Sequence, residues 1–152
     1  MKLSQLCCAN YHYKRYTLDY FLASAQRLGY ETIELWASGP HLHLEDFDAA
    51  RLAELSRSIK ARGLKVGCFT PEQCVYAISV SHPDPVYRRR TIDFFNRHIE
   101  AAAALDCDRM VVSTGFAYLD VDPEDAFGWC VESFQEIGRK AEAEGVILAL
   151  EP

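Results

Sequence analysis

No stretch of this 152-residue chain approaches the roughly 20 consecutive apolar residues needed to cross a bilayer. Its start, Met1-Lys2-Leu3-Ser4-Gln5-Leu6, is too short and too polar for a secretion signal. These two absences predict a cytoplasmic protein with no membrane partner. A Lys/Arg stripe with interleaved aromatics is also missing, and the formal net charge is −6, so a phosphate backbone is repelled and no nucleic-acid partner is expected. The six cysteines (Cys7, Cys8, Cys68, Cys74, Cys107, Cys130) lack the CxxC spacing of a zinc site or redox pair. They read as reduced, small hydrophobes packed in the core. Glycine is absent from Cys8-Ala9-Asn10-Tyr11-His12-Tyr13, which removes the phosphate loop of a nucleotide-binding sheet. There is no Ser/His/Asp order, Walker loop or HExxH stretch, and no Ser/Gly linker divides the chain.

What is present is an alternation. Short β-branched or apolar runs at Leu3–Cys8, Glu31–Trp36, Lys65–Thr70, Arg109–Thr114 and Val146–Glu151 are separated by segments of helical period. Thr17 caps a first helix over Leu18–Leu28, with Leu18, Phe21, Leu22, Ala25 and Leu28 on one face. A second follows Asp46 as its cap, buries Leu52, Leu55 and Ile59, and ends at Gly63. Asp84-Pro85 and Asp122-Pro123-Glu124-Asp125 each place a capping oxygen ahead of an N1 proline. The third helix then buries Ile92, Phe95, Ile99 and Ala102, and the fourth buries Phe127, Val131, Phe134 and Ala141. Strands followed by covering helices predict an α/β fold with a parallel sheet, as either an open doubly wound sheet or a barrel sector. Polar residues at several strand ends favour the barrel, because barrel enzymes build their sites there.

Alternation puts Glu34 on one face of its strand with Thr32 and Trp36, pointing into either the barrel or the helix layer. A carboxylate buried there needs a cation, a metal or several donors, so Glu34 either completes an interior network or supports a site. Glu151, at the end of the fifth strand with Ile147 and Ala149, is placed to bind a divalent ion and to exchange a proton with a substrate carbon. The loop Thr70-Pro71-Glu72-Gln73-Cys74-Val75-Tyr76 offers polar groups beside an aromatic ring. Trp36-Ala37-Ser38-Gly39-Pro40-His41-Leu42-His43 offers an indole and two imidazoles, which either face solvent or bind. The same holds for His12. Ser113 and Thr114 either satisfy backbone groups or touch substrate.

The runs Gly29-Tyr30-Glu31-Thr32-Ile33-Glu34-Leu35-Trp36, Gly39-Pro40-His41, Phe69-Thr70-Pro71-Glu72 and Val146-Ile147-Leu148-Ala149-Leu150-Glu151-Pro152 resemble the xylose isomerase-like TIM barrel family of sugar phosphate isomerases/epimerases. The Trp-x-x-x-Pro-His and Thr-Pro-Glu loops point to its fructoselysine 3-epimerase and ketose 3-epimerase branch. The resemblance implies an isomerase in which a divalent metal, manganese first and cobalt, magnesium or zinc otherwise, is held at strand ends without any organic cofactor. It implies that two glutamates exchange the C3 proton of a sugar through an enediolate. Glu151 would be metal ligand and one base, His12, Trp36, His41 and Glu72 would line the sugar pocket, and Glu34 would support it.

A complete barrel has eight βα units and about 250 residues. The expectation is therefore the N-terminal portion of one barrel, residues 1–152, truncated after the fifth strand and weakly active by itself. Its exposed sheet edges predict a homo-oligomer. Two other readings remain: a DNA-repair endonuclease barrel of the AP type, and a non-catalytic half-barrel that serves as an assembly module.

Overall fold

A computed structural model describes residues 6–73 and 78–151. Five strands alternate with four helices: β1 (Cys7–Ala9), α1 (Leu18–Arg27), β2 (Thr32–Ala37), α2 (Ala49–Ala61), β3 (Lys65–Pro71), α3 (Pro85–Ala104), β4 (Arg109–Ser113), α4 (Pro123–Glu144) and β5 (Ile147–Glu151). Short 3-10 turns occupy Asn10–Tyr13 and Leu44–Asp46. Every predicted element is present; the predicted strand start at Leu3, Cys74 to Tyr76 of the third loop, and Pro152 lie outside the described residues. No described helix is long and apolar enough to cross a membrane.

The helix starts follow from local chemistry. Thr17 accepts the Tyr20 amide, Asp84 the Val86 amide and Asp122 the Glu124 amide, each satisfying a donor that the first helical turn leaves unpaired. The cap of α2 is corrected. Asp48, not Asp46, accepts the Arg51 amide at 2.8 Å, because the chain spends Leu44–Asp46 on a 3-10 turn before α2 begins. At its far end α4 stops at Gly145, whose φ of 69° lies in the left-handed region that glycine enters without steric cost.

All five strands are parallel and lie in the order β1-β2-β3-β4-β5. That order separates the two architectures left open by the sequence. An open nucleotide-type sheet reverses its winding at a switch point, whereas a barrel adds each strand beside the one before it. Ile33, Leu35, Val66, Phe69, Met110 and Val112 are buried on one face of the sheet, where they form a single core with Phe21, Leu22, Ile59, Phe95, Ile99 and Ile137 of the helices. The intervening residues Thr32, Glu34 and Trp36 of β2 are half-buried on the opposite face.

Between Ile33 and Glu34 the register against β3 shifts: Ile33 pairs with Val66, and Glu34 with Cys68. Gly67 is the extra residue of this bulge. A Cβ placed there would come 2.2 Å from Thr32 Cγ2, so close approach of the two strands demands glycine.

Two expected features of the core differ. On α4 the buried residues are Ala126, Ser133, Ile137 and Ala141, while Phe127 and Val131 are 68% and 38% exposed. They lie on an adjacent stripe that no described element covers. Among the described cysteines only Cys107 is buried; Cys8, Cys68 and Cys130 are half-buried and Cys7 is exposed, with Cys7 and Cys68 on the face opposite the helices. Surface ion pairs join successive helices, with Arg89 to Glu136 and Lys140 to Glu100 each at 2.7 Å. At their exposure each contributes between nothing and about 1 kcal/mol.

Candidate functional site

Residues paired across parallel strands point to the same face, so the register identifies what the helix-free face carries. Trp36 pairs with Thr70 and Ser113 with Glu151. Glu34, Trp36, Thr70, Ser113 and Glu151 therefore share that face, with Trp36, Thr70, Ser113 and Glu151 toward the C-terminal ends of their strands. The open question over Glu34 is settled: it points away from the helix layer, and its Oε1 accepts a hydrogen bond of 2.8 Å from Thr70 Oγ1. Glu151 is exposed at the end of β5.

Beside Trp36, the turn after β1 supplies an aromatic cluster. The Tyr11 ring lies 5.1 Å from the Trp36 ring and 5.4 Å from that of His12, with Lys14 Nζ 5.1 Å from the Tyr11 centroid. Trp36 and exposed His12 are thus brought together by Tyr11, a residue that sequence reasoning missed. Its signal was faint, an aromatic next to His12 in a strand-end turn.

Two amides brace the strand ends, and neither stood out in the sequence. Asn10 is fully buried; its Oδ1 accepts the Trp36 amide at 2.7 Å, and its Nδ2 donates to the Trp36 carbonyl at 3.1 Å. Because β1 pairs only as far as Ala9 with Glu34, this side chain extends the ladder to Trp36. Gln73 does the same for β4: its Oε1 accepts the Ser113 amide at 2.7 Å and its Nε2 donates to the Val111 carbonyl at 3.3 Å.

His41 belongs to the Asn10 network. Its Nε2 lies 2.8 Å from the Tyr16 carbonyl, which can only accept, so Nε2 carries the hydrogen and Nδ1 accepts from Asn10 Nδ2 at 2.8 Å. With 5% exposure and both nitrogens engaged, His41 ties the loop after β2 to the turn after β1. Thr114 donates its amide to the Glu151 carbonyl at 3.3 Å, and the Ser113 hydroxyl accepts from the Gly115 amide at 3.2 Å. Glu72 is brought to a different place, a cavity that it lines with Ala37, His43, Phe94 and His98. His43 Nε2 lies 3.6 Å from Glu45.

Electrostatics bear on the thiols of the open face. Burial first, and then the Glu34 carboxylate, raises the pKa of Cys7; Cys68 is raised mainly by burial, with Glu34 adding to it and a Thr70 contact opposing. A thiol held protonated is a poor nucleophile and a poor metal ligand. Among the described residues no group of three His, Cys, Asp or Glu side chains could hold a metal ion.

Sequential parallel strands, helices on one face and polar residues at the strand ends define a sector of a (β/α) barrel. The family model described as Xylose isomerase-like TIM barrel matches residues 22–152, and the chain belongs to that family. It is 25% identical over 152 residues to fructoselysine 3-epimerase of Shigella flexneri, which covers 100% of this chain and 54% of that protein. The fructoselysine 3-epimerase of Escherichia coli O157:H7 is 24% identical with the same coverage. The chain thus spans about half the length of the curated relatives it matches. Among solved structures, D-psicose 3-epimerase from Clostridium cellulolyticum H10 with D-tagatose superposes with a TM-score of 0.78 at 21% identity, over 94% of this chain and 50% of that one. At that identity the likeness is one of fold.

Proposed function

We propose that this chain is the sugar-binding sector of an isomerase that epimerises a ketose or ketosamine at C3, with Glu151 as a proton-exchanging base. The observation that carries the reading is the position of Glu151. Its carboxylate stands at a strand end, paired with Ser113 and on the same face as Glu34 and Trp36. A C–H beside a ketose carbonyl is acidic because the electron pair left behind spreads onto the carbonyl oxygen. Glu151 would take the C3 proton, the C–H electrons would form the C2–C3 double bond of an enediolate, and reprotonation on the opposite face would give the epimer. The Trp36 and Tyr11 rings offer an apolar surface for the sugar's C–H groups, and Ser113 and Thr114 offer hydroxyls.

Inversion needs a second acid across the ring, and none of the described ends of β1 to β4 carries a carboxylate on this face. Nor do the described residues assemble the donor set that manganese or another divalent ion requires, so no step is assigned to a metal. The sugar would be recognised by this half and the remaining groups supplied from elsewhere.

Deuterium uptake at C3 of D-fructose in D2O, with manganese(II) in the buffer, tests the reading in the whole protein that carries this chain. Glu151→Gln, which keeps the shape and removes the base, should slow exchange by on the order of 10²–10⁴. Absence of C3 exchange, or exchange that survives the substitution, overturns it. A second reading, association with another copy, is supported by the exposed apolar side chains of Phe127, Val131 and Leu150. A monomer in sedimentation equilibrium would remove it. The acidic balance and the absence of a basic stripe support no DNA-repair role.

A further inference from the structure

On the helix side of the sheet, above the ends of β2 and β3, the cavity that Glu72 lines has a volume of about 260 Å³. The sheet separates it from Glu34, Trp36 and Glu151, since its wall includes Ala37, which shares the helix-facing side of β2 with Ile33 and Leu35. At its back stands His98 of α3, 4% exposed, with its ring 4.0 Å from that of Phe94 and 6.1 Å from that of Phe69. His98 Nδ1 lies 2.7 Å from the Phe94 carbonyl. A carbonyl only accepts, so Nδ1 carries the hydrogen and Nε2 carries a lone pair. No described residue donates to that lone pair. His98 Nε2 is not among the described polar atoms sealed from solvent without a partner, so it is open to the cavity that His98 lines and can accept a hydrogen bond from an occupant.

We propose that this cavity binds a small uncharged polyhydroxylated molecule, of monosaccharide or cyclitol size, one hydroxyl of which donates to His98 Nε2. Burial drives the His98 pKa down to about 4, and Arg97 and His43 also disfavour its cation, so the imidazole stays an acceptor across the physiological range. The rim is mixed in sign. Glu45 and Glu72 accept, Arg97 and Ser38 donate, and His43 lies beside Glu45. A simple anion would meet two carboxylates there and a simple cation would meet a guanidinium, whereas hydroxyls donate and accept together. Phe94, Leu44 and Ile78 match the C–H faces that a polyol ring presents. The volume falls just below the roughly 300–1,000 Å³ of drug-sized pockets, which limits the occupant to one ring.

The test follows the imidazole nitrogens of the ¹⁵N-labelled chain by long-range ¹H–¹⁵N spectroscopy at pH 7 during titration with myo-inositol or D-fructose. Sodium acetate and butylamine serve as charged controls. The His98 Nε2 resonance should move saturably with either polyol and not with the controls. His98→Phe, which keeps an aromatic ring among Phe69 and Phe94 but no lone pair, should weaken binding about tenfold, the worth of one such hydrogen bond. His98→Gln, which restores an acceptor, should recover part of it and covers the case in which the phenylalanine variant does not fold. Glu151→Gln should leave this affinity unchanged even where it abolishes C3 exchange, so the two sites are told apart. An Nε2 resonance that ignores polyols, meaning a cavity filled by water only, overturns the proposal. So does movement with acetate or butylamine alone, or polyol binding lost on Glu151→Gln.

Discussion

Replacing Asn10 by alanine removes a side chain that is fully buried and makes three hydrogen bonds, to the Trp36 amide, the Trp36 carbonyl and His41 Nδ1. The alanine cannot reach any of them. Each buried polar group left without a partner costs about 1–3 kcal/mol, and Trp36 is only half-buried, so its groups fall at the low end. The sum is about 3 kcal/mol, a large share of the roughly 5–15 kcal/mol that a domain has in total. With a urea m-value of about 2 kcal/mol/M for a chain this size, the midpoint should fall by about 1.5 M. Fluorescence of the two tryptophans would follow the transition, and Trp36 reports directly on the affected strand. His41→Ala should cost less in the Asn10→Ala background than alone, by more than about 0.5 kcal/mol, because the two share one bond. A loss below about 1 kcal/mol for Asn10→Ala, or strict additivity with His41→Ala, would show that water replaces the amide and that the brace holds nothing together.

His98 predicts a pH dependence. Its folded pKa of about 4 lies below the ordinary 6.5, so between those values the unfolded chain binds more protons. Stability is lost as pH falls from about 6.5 to about 4, by up to roughly 3 kcal/mol. Urea midpoints at pH 7 and pH 4.5 should differ less in His98→Phe than in the parent, and an equal difference in both would refute the assignment. Gly67→Ala should destabilise by about 1–3 kcal/mol, because its Cβ collides with Thr32 Cγ2. Thr32→Ser deletes that methyl and should recover most of the loss in thermal denaturation; failure to do so would place the strain in the backbone.

Features that depend on neighbours in the chain were legible before any coordinates. The Asp84-Pro85 and Asp122-Pro123 helix starts are read correctly because the capping oxygen bonds an amide two residues away. The two faces of β2 follow from its period of two, which placed Glu34 with Trp36. The stripe of α3 was equally plain, since Ile92, Phe95, Ile99 and Ala102 recur at helical spacing and are all buried. On α4 the same reasoning misplaced Phe127 and Val131. Periodicity marks which residues share a stripe, and only the packing partner decides whether that stripe is covered. Asp46 was a plausible cap by type, yet two residues of backbone geometry moved the role to Asp48.

By itself, then, the sequence determined the alternation of parallel strands and helices, the glycine and aspartate punctuation between them, and the placing of Glu151 at a strand end, all consequences of local periodicity and short-range hydrogen bonding. Tertiary structure alone decided the strand order, the face that Glu34 and Glu151 share, and the Asn10–His41 brace between groups 31 residues apart. It also placed His98 of α3 in the wall of a cavity, with Nδ1 held by the Phe94 carbonyl and Nε2 left to an occupant. The physical reason is that hydrogen-bond partners and burial are set by which distant segments the sheet brings side by side, and one segment's composition carries no record of its neighbours.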